Sequence, residues 1–89
     1  MKIKLELFGA SRDFSDKDYL DLEIEDKASV SDLRNEIIKY LDKNFKGNES
    51  FIKVVKSSAF CSENNKIISD NYRITKDQKI GIIPPIGGG

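Results

Sequence analysis

The end of the chain concentrates residue types that can take part in chemistry without a reactive side chain. Both prolines and half of the glycines fall in the last six residues, which read Pro84-Pro85-Ile86-Gly87-Gly88-Gly89. Because glycine has no side chain, such a tail can pass through a narrow channel and present the α-carboxylate of Gly89 to another protein. A carboxylate is a poor electrophile, so it must first be activated, for instance as an acyl-adenylate. We interpret Pro84-Pro85 as a stiff collar between a folded body and this tail.

Missing residue types exclude several classes of function. Without histidine there is no Ser-His or Cys-His nucleophile pair and no imidazole metal site, so we predict no bound metal or cofactor. The single cysteine, Cys61, cannot form an internal disulfide, and with no base nearer than Lys56 it is interpreted as a packing residue. No apolar run approaches the ~20 residues of a membrane helix. We therefore expect a cytoplasmic protein that is not itself an enzyme.

Charge is balanced overall but not along the sequence. The 15 acidic and 15 basic residues sum to zero, which argues against nucleic acid as a partner. Acidic residues nevertheless crowd one segment, where only Lys17 interrupts Asp13, Asp16, Asp18, Asp21, Glu23, Glu25 and Asp26. This segment is either a solvated loop and strand face or a docking surface for a basic partner.

In the first half of the sequence, the spacing of apolar residues changes from the alternation of strands to the three- and four-residue steps of a helix. Alternation over residues 2–8 and 19–24 predicts two strands of a hairpin, joined by a loop over 9–18. Ser29 and Asp32 then have the spacing of a helix cap. Apolar residues follow at helical steps until Gly47, namely Val30, Leu33, Ile37, Leu41 and Phe45.

The second half predicts further strands. Residues 51–60 are interpreted as β-rich, 66–68 as a short strand, and 79–83 as a continuous apolar strand inside a sheet that the prolines terminate. The resulting α+β order, a mixed sheet covered by one main helix, is similar to the ubiquitin-like β-grasp fold. A ferredoxin-like split fold is the alternative, but it needs a second long helix between Ser57 and Lys79. We expect a domain over 1–83 and a flexible Gly-Gly tail over 84–89.

Three segments carry a resemblance to a known family. The ending Ile80-Gly81-Ile82-Ile83-Pro84-Pro85-Ile86-Gly87-Gly88-Gly89 resembles that of the molybdopterin synthase small subunit, a MoaD-type sulfur carrier of the ubiquitin-like MoaD/ThiS family. Pro84-Pro85 match its proline pair, Ile86 its aliphatic position, Gly87 its small residue and Gly88-Gly89 its terminal pair. Phe8, Arg12 and Asp13 are similar to residues after its first strand, and residues 28–33 to its helix start.

The resemblance implies a sulfur-transfer cycle. A ubiquitin-activating-type adenylyltransferase would use ATP to adenylate Gly89, and sulfur would then convert it to a thiocarboxylate. The large subunit of molybdopterin synthase would receive the tail in a heterotetramer and supply the catalytic residues for making molybdopterin, the organic part of the molybdenum cofactor. The implied partner-contact residues are Phe8, Arg12, Phe60, Pro84, Pro85, Ile86, Gly87 and Gly88, and Ile82 is a further candidate for an apolar patch.

Other functions for the same tail remain open. A sulfur carrier could serve thiamine, cysteine or tRNA thiolation instead, and a ubiquitin-like modifier would join Gly89 to lysines. A plain interaction domain without tail chemistry is the last alternative.

Overall fold

The fold is one mixed sheet with its helices packed on a single face. The computed structural model describes residues 1–85, so the predictions for Ile86, Gly87, Gly88 and Gly89 lie outside the described residues. The strands run in the order β2-β1-β5-β3-β4. Their bounds are β1 Lys2–Leu7, β2 Tyr19–Glu23, β3 Ala59–Cys61, β4 Ile67–Ile68 and β5 Gln78–Ile83, and the α-helices are α1 Val30–Phe45 and α2 Glu49–Ser57.

The predicted hairpin and the predicted internal strand are both confirmed. β1 and β2 pair antiparallel, with Leu5 opposite Leu20. β5 lies between β1, to which it is parallel, and β3, to which it is antiparallel. The alternating residues of β1 and β2 bury one face only, whereas β5 has buried residues on both faces. Its uninterrupted apolar sequence therefore reflects a central position in the sheet.

The predicted cap and apolar stripe of α1 are also confirmed. The Ser29 hydroxyl accepts a hydrogen bond from the Asp32 N–H at 3.1 Å, and the Asp32 carboxylate accepts one from the Ser29 N–H at 2.9 Å. The helix ends where the backbone turns left-handed at Lys46 and Gly47, with φ of 54° and 70°. Its core-facing residues are Val30, Leu33, Ile37 and Leu41.

The prediction of β structure over residues 51–60 is wrong for most of that segment. Residues 49–57 form the helix α2, so within residues 1–85 a second, shorter helix accompanies the main helix α1. The Asn48 side chain caps α2 by accepting a hydrogen bond from the Phe51 N–H at 3.2 Å, and Glu49 lies in the first turn, where the helix dipole favours an acid. Within residues 1–85, neither helix is long and apolar enough to cross a membrane.

The predicted loop over residues 9–18 contains a short 3-10 helix over Gly9–Phe14. Phe14, at its end, is fully buried, and its ring centroid lies 5.2 Å from that of Phe51 on α2. The connection between β1 and β2 is therefore packed against the second helix.

Arg34 fastens α1 to the segment that leads into β3. Its guanidinium donates hydrogen bonds to the carbonyl oxygens of Val55 at 2.6 Å and Ser58 at 2.8 Å. It also pairs with Asp70 at 2.7 Å and lies over the ring of Phe60, 4.8 Å from its centroid. One side chain thus fixes the end of α2 and the start of β3 relative to α1.

Candidate functional site: the open sheet face and the root of the tail

The sheet face opposite the helices carries an apolar patch near the end of β5. Side chains alternate along strands, so residues paired across neighbouring strands lie on the same face. The pairs Cys61 with Gly81, Ala59 with Ile83, and Cys61 with Ile67 therefore share the open face. We call the following residues the open-face patch: Phe8, Ala59, Cys61, Ile67, Gly81 and Ile83.

Phe8 covers the middle of this patch. A Cβ atom added to Gly81 would lie 3.0 Å from Phe8 Cε2 and 2.8 Å from the Cys61 sulfur. The ring therefore rests on the backbone of β5, with Cys61 beside it. Phe8 remains 45% exposed and Ile67 66% exposed, so the patch presents large apolar surface to solvent.

A residue that sequence reasoning missed holds Phe8 in place. The buried Ser11 hydroxyl accepts a hydrogen bond from the Phe8 N–H at 3.0 Å and donates one to the Phe8 carbonyl at 2.7 Å. The Ser11 N–H also donates to that carbonyl, at 3.2 Å. A serine three positions after Phe8 is the one signal of this arrangement in the sequence. It fixes the backbone at Phe8 and so limits where the ring can lie.

The root of the tail is packed into the body beside the patch. Ile83 pairs with Ala59, and the next residue, Pro84, is buried, whereas Pro85 is exposed. A Cβ added to Gly9 would lie 3.9 Å from the Pro84 ring. The packed body thus includes Pro84.

The structure separates the predicted partner-contact residues into three groups. Phe8 lies on the open face, and Arg12 and Pro85 are exposed. Phe60 and Ile82 are 1% and 0% exposed and point into the core between the sheet and the helices. The expectation that these two belong to a contact surface is corrected, because they occupy strand positions that alternate to the covered face. Pro84 is likewise buried, as the root of the tail.

Charged residues border the patch on the side of β1. Lys79 Nζ donates to the Glu6 carboxylate at 2.9 Å, across the pairing of β1 with β5. This hydrogen bond and the negative charge of Glu6 raise the pKa of Lys79 above its ordinary value. Further along the face, Lys4 Nζ lies 4.3 Å from the ring centroid of Tyr19. An apolar centre with a charged border is the usual anatomy of a protein contact surface.

The burial of Cys61 agrees with its interpretation as a packing residue. It is a free thiol and is buried between neighbouring strands, with its sulfur against Gly81. It therefore contributes volume to the open-face patch.

Solved structures resemble the chain over its whole length. A candidate molybdopterin converting factor, subunit 1, from Pyrococcus furiosus superposes with a TM-score of 0.70 at 24% identity, covering 96% of this chain and 98% of that one. SAMP1 from Haloferax volcanii gives 0.68 at 13% identity over 100% of both chains. The chain has the ubiquitin-like β-grasp fold.

The same β-grasp fold occurs in a third structure. Ubiquitin from Caldiarchaeum subterraneum gives a TM-score of 0.61 at 17% identity, covering 100% of this chain and 98% of that one. No family model and no curated protein matches the sequence. The β-grasp fold predicted from the order of elements is therefore confirmed by structure, at identities that show the fold alone.

Proposed function

We propose that the chain is a sulfur carrier whose working end is the carboxylate of Gly89, and that it is the small subunit of a molybdopterin synthase. The observation that carries this proposal is the position of the tail root. A central strand, β5, ends beside a solvent-facing apolar patch, and buried Pro84 holds the point from which the tail leaves. The similarity to a candidate molybdopterin converting factor subunit supports the choice of pathway.

The tail is long enough to be inserted into a partner protein. An extended chain spans up to ~3.3–3.6 Å per residue, so the five residues from Pro85 to Gly89 reach roughly 17 Å beyond the body. A partner that covers the open-face patch would thus bring its own interior within reach of Gly89. The patch supplies docking and the tail supplies the reacting atom.

The chemistry follows from the weak electrophilicity of a carboxylate. Gly89 would attack the α-phosphate of ATP in an adenylating enzyme of the ubiquitin-activating type, with pyrophosphate leaving. A hydrosulfide equivalent from a sulfurtransferase would then displace AMP to give the thiocarboxylate. In the large subunit, that sulfur would pass to the pterin precursor, and hydrolysis would restore the carboxylate. The catalytic residues and the ATP site belong to these partners, and the assembly would be a heterotetramer with two small subunits.

A ubiquitin-like modifier is the second candidate, because an archaeal ubiquitin shares the fold over the full chain. The activation step is common to both functions, and the difference is the nucleophile that takes the acyl group. A lysine amine gives an isopeptide conjugate, whereas a sulfur nucleophile gives the thiocarboxylate. Sulfur carriers for thiamine, cysteine or tRNA thiolation share the second outcome and differ only in the acceptor.

Reconstitution tests the proposal. The purified chain is incubated with the adenylating enzyme of its host, ATP and sulfide, and then with the large subunit and the pterin precursor. The proposal expects a thiocarboxylate on Gly89 and sulfur in the pterin product, and a variant lacking Gly89 should give neither while unfolding at the same denaturant concentration. Sulfur transfer by the deletion variant, or lysine conjugates as the sole product, would overturn it.

A further inference from the structure

β2 is an edge strand with one side of its backbone free. Residues 1 and 24 exchange main-chain hydrogen bonds, and the Leu7 N–H donates to the Asp18 carbonyl at 3.0 Å. In an antiparallel ladder the hydrogen-bonded pairs alternate, so Leu20 and Leu22 also direct their N–H and C=O groups at β1. The N–H and C=O groups of Tyr19, Asp21 and Glu23 therefore point outward. Within residues 1–85, no hydrogen bond of the fold uses them.

A groove continues from this free edge towards α1. It has a volume of about 990 Å³ and runs between the end of β2 and the outer side of the helix. Its apolar lining includes Met1, Ile24, Ala28 and Ile38. Leu22 and Ile38 are only partly buried against the core, so apolar surface is accessible beside the free backbone groups.

Charge selects the occupant of this edge. Asp21 and Glu23 are exposed on β2, where Lys4 and Lys2 of β1 lie opposite them, and Glu25 and Asp26 follow at the mouth of the groove. The groove is lined by the basic residues Lys27, Lys39 and Arg73 as well, so the excess of acid lies on the outer side of β2. Antiparallel pairing of β2 with a second copy of itself, centred on Asp21, would place carboxylate against carboxylate, which is unfavourable. Outward charges of this kind protect an edge from its own copies while leaving it open to a strand of opposite charge.

From the free edge, the groove and the charge we infer that β2 binds an extended segment of a partner protein in which basic residues alternate with apolar ones. The segment would add to the sheet as a sixth strand, with main-chain hydrogen bonds to Tyr19, Asp21 and Glu23. Its basic side chains would lie on the open face beside Asp21 and Glu23. Its apolar side chains would point to the helix side, over Leu22 and Ile38.

The groove lies at the Glu23 end of this edge and is remote from the tail, whereas Tyr19, at the other end, pairs with Glu6. β2 runs antiparallel to β1, and β1 runs parallel to β5, so Glu23 lies at the end of the sheet opposite to Ile83. A segment bound along the groove leaves the root of the tail uncovered. The inference is therefore independent of the chemistry proposed for Gly89.

Amide chemical shifts and hydrogen exchange of the isotope-labelled full chain test the inference. The probe is a capped peptide that alternates lysine with valine, and the comparison peptides are a version with glutamate in place of lysine and a scrambled version with separate lysine and valine blocks. The alternating peptide should shift the amides of residues 19–24 and slow exchange at Tyr19, Asp21 and Glu23. Absence of binding, equal binding of the scrambled peptide, or shifts confined to the open-face patch would overturn the inference.

Paired variants distinguish binding to β2 from attraction of the basic peptide to the overall negative charge of this segment. Asp21→Asn with Glu23→Gln should weaken binding about three- to tenfold, because two exposed ion pairs are lost. The matched control, Asp13→Asn with Asp16→Asn, removes the same charge outside β2 and should leave affinity unchanged. Asp21→Pro removes one outward N–H while sparing the ladder to β1, and should weaken peptide binding and reduce the protection gained at Tyr19 and Glu23. Equal weakening by the two charge pairs would contradict the assigned edge.

Discussion

The ring of Phe8 rests directly on the backbone of Gly81, where an added Cβ would lie 3.0 Å from the Phe8 ring atom Cε2. Contact this close joins the residue after β1 to the middle of β5, two neighbouring strands of the sheet. The centre of the open-face patch is therefore formed by the large Phe8 ring lying where Gly81 has no side chain. The shape of the docking surface thus depends on the absence of a side chain at residue 81.

Gly81→Ala should therefore disturb both stability and docking. The new methyl group meets the Phe8 ring and, at 2.8 Å, the Cys61 sulfur. Overpacking of this kind costs about 1–3 kcal/mol of the free energy of unfolding, measured by urea denaturation. In a Cys61→Ala background one of the two clashes is removed, so the same substitution should cost less. An equal cost in the two backgrounds would contradict the contact described here.

Phe8→Ala should weaken partner binding more than it weakens the fold. Phe8 is half exposed at the centre of the patch, so its truncation should cost about 1–2 kcal/mol of binding free energy to the large subunit. Titration calorimetry with that subunit measures the loss, and urea denaturation measures stability.

Phe51→Ala provides the matched control for that experiment. Phe51 packs on the helix side, with ring centroids 5.2 Å from Phe14 and 5.1 Å from Phe45. Its truncation should lower the free energy of unfolding by about 2 kcal/mol and leave binding by the folded fraction unchanged. The reverse pattern would place the docking surface on the helices.

Arg34→Met should destabilise the fold more than most substitutions of residues that are not fully buried. It keeps much of the side-chain stem but removes the guanidinium donor from the carbonyl oxygens of Val55 and Ser58, and Val55 then keeps the Ser58 N–H at 3.3 Å. Loss of the donor to a partly buried acceptor costs about 1–3 kcal/mol, so the thermal unfolding temperature should fall clearly. Lys39→Met removes the exposed pair with Glu36 and should change stability by less than about 0.5 kcal/mol. Similar shifts for both variants would refute the role given to Arg34.

The helix cap at Ser29 predicts a dependence of stability on pH. The Ser29 backbone N–H, with a further contribution from its side chain, lowers the pKa of Asp32 below its ordinary value near ~4. A lowered folded pKa gives stability that is present above the unfolded pKa and is lost as pH falls through the folded pKa. The stability difference between the wild type and Asp32→Asn should therefore be present at neutral pH and shrink in acid below about pH 4. A difference independent of pH would argue against the hydrogen bond.

Much of the fold could be predicted because individual elements obey one local rule. Alternation in β1, the Ser29 and Asp32 cap of α1, and the apolar run of β5 each point to the structure that forms. The segment over residues 51–57 failed because Phe51, Val54 and Val55 favour strands intrinsically, while the cap at Asn48 decides for a helix. There the capping signal outweighs side-chain propensity.

The candidate site was predictable only in part, since burial depends on strand phase. The family resemblance predicts partner contacts for both Phe8 and Phe60, but the segment that contains Phe60 has no clear strand phase in the sequence, and its ring points into the core. The role of Gly81 comes from contacts with Phe8 and Cys61, which are distant in sequence, and the role of Ser11 depends on the local turn that brings its hydroxyl back to Phe8. Sequence gives the chemistry of the tail, whereas only the fold shows which surface stands beside its root.

The intact mass of the protein purified from its native host tests the central claim most directly. The sulfur-carrier account predicts a chain ending at Gly89, with a fraction heavier by the difference between one sulfur and one oxygen atom. Fragmentation should place that difference on the last residue, and the fraction should disappear when the adenylating enzyme is deleted. A chain that continues beyond Gly89, or one found only as carboxylate and lysine conjugates, would contradict the account.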